Sequence, residues 1–181
     1  MGSRYEDELW ELVPERTRGP RVLRDWVAAL APARHALDIG CGDGVLSAAI
    51  PTEQLTLADV SAVALERARR RLPEAAAVEV EPDAPLPFAD SAFDLVVCTE
   101  ALEHVHDLQL FLSEARRVLA PGGRLAVTTP AHRAWMRTPD PLSPHLRFLT
   151  RRTLGTLLDR MGFDVVELRR RGSGLFAVAS R

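Results

Sequence analysis

Residues 37–47 read LDIGCGDGVLS and place three glycines, Gly40, Gly42 and Gly44, at every second position behind an apolar run. Backbone without side chains can turn sharply out of a strand and lets a ligand approach closely. A carboxylate, Asp38, lies inside the end of the run, where it suits a cation and opposes a pyrophosphate. The G-x-G-x-G spacing also departs from the dinucleotide fingerprint G-x-G-x-x-G, with Val45 where the last glycine belongs. A helix directly after the loop is expected to turn free N–H groups toward the ligand, with Gly42 and Gly44 keeping Cβ atoms out of its way.

The elements that must hold this loop are short apolar runs alternating with amphipathic segments. Runs at 35–40, 55–60, 77–82, 93–99 and 123–129 read as buried strands. Two more, 163–171 and 175–180, are split by Gly172-Ser173-Gly174 and read as a terminal hairpin. Ser61 can cap a helix over 62–72, and Asp107 one over 108–120 that Pro121-Gly122-Gly123 stops. Thr150 can cap a third over 151–161, ahead of Gly162, and an amphipathic segment lies near 20–31. The order predicts an α/β fold: a doubly wound, mostly parallel seven-stranded sheet with a C-terminal antiparallel hairpin. In such a sheet ligands bind beyond the carboxyl ends of the strands, at the switch point.

Composition narrows the chemistry. The chain has 181 residues, enough for one domain spanning 1–181. All 23 cationic side chains are Arg, so lysine Schiff bases and a P-loop lysine are excluded. A net charge of −2 offers no footprint for a nucleic-acid partner. Cys41 and Cys98 lie in separate apolar runs and make neither a disulfide framework nor a zinc site. No apolar run reaches the ~18 residues of a membrane span. The opening MGSRYEDELW is too acidic for a secretory signal, so a cytoplasmic protein is expected.

LDIGCGDG resembles the first motif of class I S-adenosylmethionine-dependent methyltransferases, with their Rossmann-like fold. LTLADVS (55–61), EPDAPLPFADSAFDLVVCTEALEHVHD (81–107), RVLAPGGRLAVTTP (117–130) and RFLTRRTLGTLLDRMGFDVVEL (147–168) resemble the later motifs in order. The resemblance, over roughly 35–181, implies S-adenosyl-L-methionine as cofactor and a set of binding residues. Asp38, Gly40, Cys41 and Gly42 would face its methionine end, and Asp59 with Val60 its ribose. Asp83 and Ala84 would face adenine, while Thr99, Glu100 and His104 would stand near the methyl group. It further implies an N-terminal helical lid within 1–31 and an acceptor-side loop at 130–148.

That loop carries His132, Trp135, Asp140, His145 and Arg147, a set suited to an aromatic or polar acceptor. If a histidine takes the acceptor's proton, His145 and then His132 are favoured. The run TEAL (99–102) stands where nucleobase amino-methyltransferases carry Asn/Asp-Pro-Pro-aromatic. TTPAH (128–132) has no carboxylate for the metal of catechol methyltransferases, so no metal is expected. The expected activity is methyl transfer to a small-molecule acceptor at oxygen. A nicotinamide-dependent oxidoreductase and a non-catalytic cofactor-binding module are the alternatives.

Overall fold

The computed structural model describes residues 3–15, 18–131 and 146–181. Its seven strands are β1 (Ala33–Ile39), β2 (Thr52–Asp59), β3 (Ala76–Glu79), β4 (Phe93–Thr99), β5 (Leu119–Pro130), β6 (Asp164–Arg171) and β7 (Gly174–Ser180). They form one sheet in the order β3-β2-β1-β4-β5-β7-β6. The first five strands pair in parallel, whereas β7 runs antiparallel to both β5 and β6. This is the predicted architecture, hairpin included. The order reverses between β1 and β4, which opens a crevice at their carboxyl ends.

Among the described residues five helices accompany the sheet: α1 (Ser3–Leu12), α2 (Arg21–Ala28), α3 (Ala62–Arg71), α4 (Leu108–Val118) and α5 (Arg151–Arg160). Three caps are those read from sequence. Ser61 accepts from Ala64 N, Asp107 from Gln109 and Leu110 N, and Thr150 forms a capping box with Thr153. Alternation along the strands sends side chains to two faces. Leu37, Ile39, Val96 and Cys98 pack with α4 and α5. Ala36, Leu95 and Val97 pack with α2, and Leu57 with α3, on the opposite face.

The crossover helix expected after the glycine loop is missing. Between β1 and β2 there is only one 3-10 turn, Ser47–Ala49, because few residues separate Gly44 from the strand and Pro51 closes the segment. The glycine loop therefore precedes no helix N-terminus, contrary to expectation. Between β3 and β4, residues 80–92 hold Pro82, Pro85 and Pro87, which forbid a helix. Glu114 and Arg117 of α4 take over that role. Glu114 accepts from Leu86 N, and Arg117 donates to the carbonyls of Leu86 and Phe88 and to Asp90.

The boundary between α4 and β5 also moves. The helix ends at Val118, before Pro121, because Leu119 is already extended (φ −72°, ψ 137°). β5 starts there and bulges through Pro121-Gly122-Gly123, so that Phe93 pairs with Leu119 but Leu95 with Arg124. Among the described residues no helix is long and apolar enough to cross a membrane.

Candidate functional site

A cavity of about 630 Å³ opens where β1, β2 and β4 end, bounded by the loop after β3 and by α1. Gly40, Cys41, Gly42, Asp59, Val60, Asp83, Ala84, Thr99, Glu100 and His104 all line it. Of the residues predicted to bind a cofactor, Asp38 alone is not on its wall.

The glycine loop leaves β1 by donating Gly40 N and Cys41 N to the Ala58 carbonyl of β2, at 2.8 and 3.2 Å. Gly40 and Gly42 adopt φ of 75° and 54°, where a Cβ is strained. A Cβ on Gly40 would also meet the Ala101 Cβ at 2.6 Å, and one on Gly42 the Trp10 ring at 2.6 Å. Gly44 serves a different purpose from the one expected. A Cβ there would meet Ala68 at 3.3 Å, so this glycine seats the loop on α3, off the cavity wall. The Cys41 thiol is buried and donates to the Gly42 carbonyl, and burial pushes its pKa up, so it stays a neutral thiol.

Asp59 joins β2 to that loop. Its Oδ2 accepts from Gly42 N at 2.8 Å and its Oδ1 from Ser61 N at 3.0 Å. Burial raises its pKa, and the backbone N–H groups of Ser61 and Gly42 pull against that rise. Each oxygen keeps a second acceptor site.

Asp38 points to the face of Ala36, where its Oδ2 accepts from Ser47 Oγ at 2.6 Å. The side chain is 1% exposed, and Oδ1 has no hydrogen-bond partner. Burial pushes the carboxyl up to about 7, the Ser47 bond lowers it, and Asp59 adds repulsion. A buried acceptor without a donor carries a desolvation penalty that a cation would remove. The residues thus fit a cofactor bearing an ammonium, with Asp38 recessed behind the cavity wall.

Asp83, at φ 53°, occupies the left-handed region. Its Oδ1 accepts from Asp107 N at 3.0 Å and its Oδ2 lies 3.4 Å from His106 Nδ1, so it fastens the post-β3 loop to the start of α4. At the end of β4, Glu100 also has positive φ, 53°. Thr128 holds it there: Glu100 N donates to the Thr128 carbonyl at 3.0 Å, and Thr128 Oγ1 donates to Glu100 Oε1 at 2.8 Å. A non-glycine residue strained in this way beside a cavity is a common mark of a functional site. Burial raises the Glu100 pKa. Behind it, Glu103 accepts from Thr129 Oγ1 at 3.0 Å and is pushed up to about 7, chiefly by burial and further by Glu100.

His132 and His145, the predicted proton acceptors, lie outside the described residues, as do Trp135 and Asp140. Arg147 is committed elsewhere than to an acceptor. Its guanidinium donates to the carbonyls of Val105 and His106, while Leu146 N donates to the Glu103 carbonyl at 2.8 Å. The end of the acceptor-side loop is thereby sewn to the segment after β4.

The sequence placed a helical lid within 1–31 and assigned none of its residues a role. Glu6, Leu9 and Trp10 line the cavity, with Val13 just beyond the helix. Their 6-9-10-13 spacing was the available signal. Among the described residues no cluster of His, Cys, Asp and Glu could hold a metal. The cavity wall carries Glu6, Asp59, Glu81, Asp83 and Glu100, and no arginine among the described residues. Such a wall repels a pyrophosphate and attracts a sulfonium.

The sheet order, glycine loop and acid-walled crevice define a Rossmann-like protein whose site suits a positively charged cofactor. The methyltransferase-domain family model matches residues 37–127, half of the chain. A probable S-adenosylmethionine-dependent methyltransferase of Mycolicibacterium smegmatis is 34% identical over 82% of this chain and 59% of its own. The 27-O-demethylrifamycin SV methyltransferase of Amycolatopsis mediterranei is 34% identical over 68% of this chain and 48% of its own. The chain therefore spans about half the length of these relatives. A crystallised SAM-dependent methyltransferase of Aquifex aeolicus shares the fold, with TM-score 0.69 and 19% identity over 88% of this chain and 87% of that one. The chain belongs to the class I S-adenosylmethionine-dependent methyltransferases, whose cofactor is S-adenosyl-L-methionine.

Proposed function

We propose that this domain transfers a methyl group from S-adenosylmethionine to a hydroxyl oxygen of an uncharged small molecule. Bound cofactor supplies an electrophilic methyl on sulfur, and in-line displacement needs only a positioned nucleophile. Asp59 would accept from the ribose, Asp38 would balance the ammonium, and Asp83 with the Ala84 backbone would meet the adenine edge.

The observation that carries the acceptor class is the charge of the wall. A carboxylate acceptor entering past Glu81, Asp83 and Glu100 would be repelled, while a neutral hydroxyl would not. A phenol or alcohol must lose its proton during transfer. Glu100, whose pKa burial raises, stands on that wall and can take it. The similarity to a 27-O-demethylrifamycin SV methyltransferase supports an oxygen acceptor. His145 and His132 on the acceptor-side loop are the rival proton acceptors.

A labelled-methyl assay against matched phenols, alcohols, amines and carboxylic acids tests the reading. Turnover is expected with hydroxyl compounds, and Glu100→Gln should lower kcat more than cofactor affinity. His145→Ala and His132→Ala in the same assay assign the proton. Turnover confined to carboxylic acids would reject the acceptor class, and cofactor binding without turnover on any compound would favour a non-catalytic module.

A further inference from the structure

The inward stripe of α1 contains one charged residue. Leu9, Trp10 and Val13 make it apolar, as a packed helix face should be, but Glu6 at the same helical spacing also lines the cavity. Its carboxylate is half-buried and makes no hydrogen bond among the described residues. Burial, and then repulsion from Asp59, raise its pKa.

Other residues fix where Glu6 stands. Asp7 Oδ1 accepts from Ser61 Oγ at 2.6 Å and from Val63 N at 3.2 Å, which latches α1 to the start of α3. Arg67 donates to the Val13 carbonyl at 2.7 Å and lies over the Trp10 ring. Trp10 in turn rests against Gly42. This register brings Glu6 to the part of the wall that Asp59 occupies. Glu6 and Asp59 share the cavity wall, close enough for the Asp59 charge to act on Glu6, while each Asp59 oxygen already accepts one backbone N–H. A diol placed between them would give each carboxylate an O–H donor.

We infer that Glu6 is a second ligand of the cofactor ribose, accepting one hydroxyl of the diol while Asp59 accepts the other; this rests on the S-adenosylmethionine reading of the cavity. The lid is then part of the nucleoside site, and Asp7 is the residue that positions it.

Calorimetry with S-adenosylhomocysteine and its 2′-deoxy and 3′-deoxy analogues tests the assignment. Glu6→Gln should weaken S-adenosylhomocysteine about tenfold, the loss of one charge-assisted hydrogen bond. It should not weaken the analogue that lacks the Glu6-bound hydroxyl, and should still weaken the other. Asp59→Asn should show the complementary pattern. Equal weakening of all three ligands by Glu6→Gln, or no weakening of any, would overturn the inference. Failure of the unsubstituted protein to bind S-adenosylhomocysteine would instead overturn the cofactor assignment. Circular dichroism of Glu6→Gln should match the parent, since that side chain holds no other residue in place.

Discussion

Asp59 accepts the backbone N–H of Gly42 at 2.8 Å, so the acid that ends β2 and the loop that leaves β1 move as one unit. The side chain is only 7% exposed and also serves Ser61 N. Asparagine at this position offers one acceptor oxygen for two N–H donors. Asp59→Asn should therefore cost about 1–3 kcal/mol, partly offset by relief of a buried charge. Cofactor affinity should fall at least about tenfold, because the ribose loses a charged acceptor. Thermal melting and calorimetry check the two effects separately. Unchanged affinity in a folded variant would remove Asp59 from the ribose site.

Alanine substitutions along the glycine loop should separate ligand approach from packing. Gly42→Ala combines a left-handed φ, costing ~1–2 kcal/mol, with a contact to Trp10 that must open. It should displace α1 from the cavity and weaken S-adenosylhomocysteine. Gly44→Ala carries the same backbone strain but presses on Ala68 of α3, away from the ligand. That variant should lose a similar amount of stability while keeping most of its affinity. Equal loss of binding in both would mean that the loop acts only as a fold element.

The contrast between these glycines marks what the sequence could reveal. Short apolar runs, three cap residues and Gly172-Ser173-Gly174 made the strand set, the hairpin and three helix starts legible, because each depends on neighbours a few residues away. Asp59, Asp83 and Glu100 were legible as strand-end or loop acids. Whether a glycine faces a ligand or a helix depends on which chain packs over it, and that information lies far along the sequence. The same holds for Asp38, whose partner Ser47 stands where a helix was expected. The roles of Glu6 and Asp7 were hidden for another reason: they are adjacent acids on a short polar helix, and only docking on α3 gives them different tasks.

Arg117 substitutes for the helix absent between β3 and β4. It spans Glu114, the carbonyls of Leu86 and Phe88, and Asp90, and it is 29% exposed. A planar fork is what reaches these acceptors together, so lysine cannot replace it. Both Arg117→Ala and Arg117→Lys should lower stability by about 1–3 kcal/mol in urea unfolding. Limited proteolysis of either variant should cut first within 84–92. If Arg117→Lys matched the parent in both assays, charge alone would be holding the segment.

Asp38 and Glu103 both sit at about 7, well above the ordinary carboxylate value. The folded state therefore keeps protons that the unfolded chain releases near pH 4. Stability from these groups is complete below pH 4 and is lost as pH rises to about 7. Glu114, lowered by Arg117, acts in the opposite sense and only at lower pH. Between pH 5 and 8 the unfolding free energy should thus fall with rising pH, and Asp38→Asn with Glu103→Gln should flatten the slope. Cofactor binding adds a second signature. An ammonium beside Asp38 favours its ionised form, so binding at pH 6.5 should release up to about one proton. Calorimetry in phosphate and in Tris should then give different heats for the parent and equal heats for Asp38→Asn. Equal heats for the parent would mean that the recessed carboxyl keeps its proton and that the ammonium binds elsewhere.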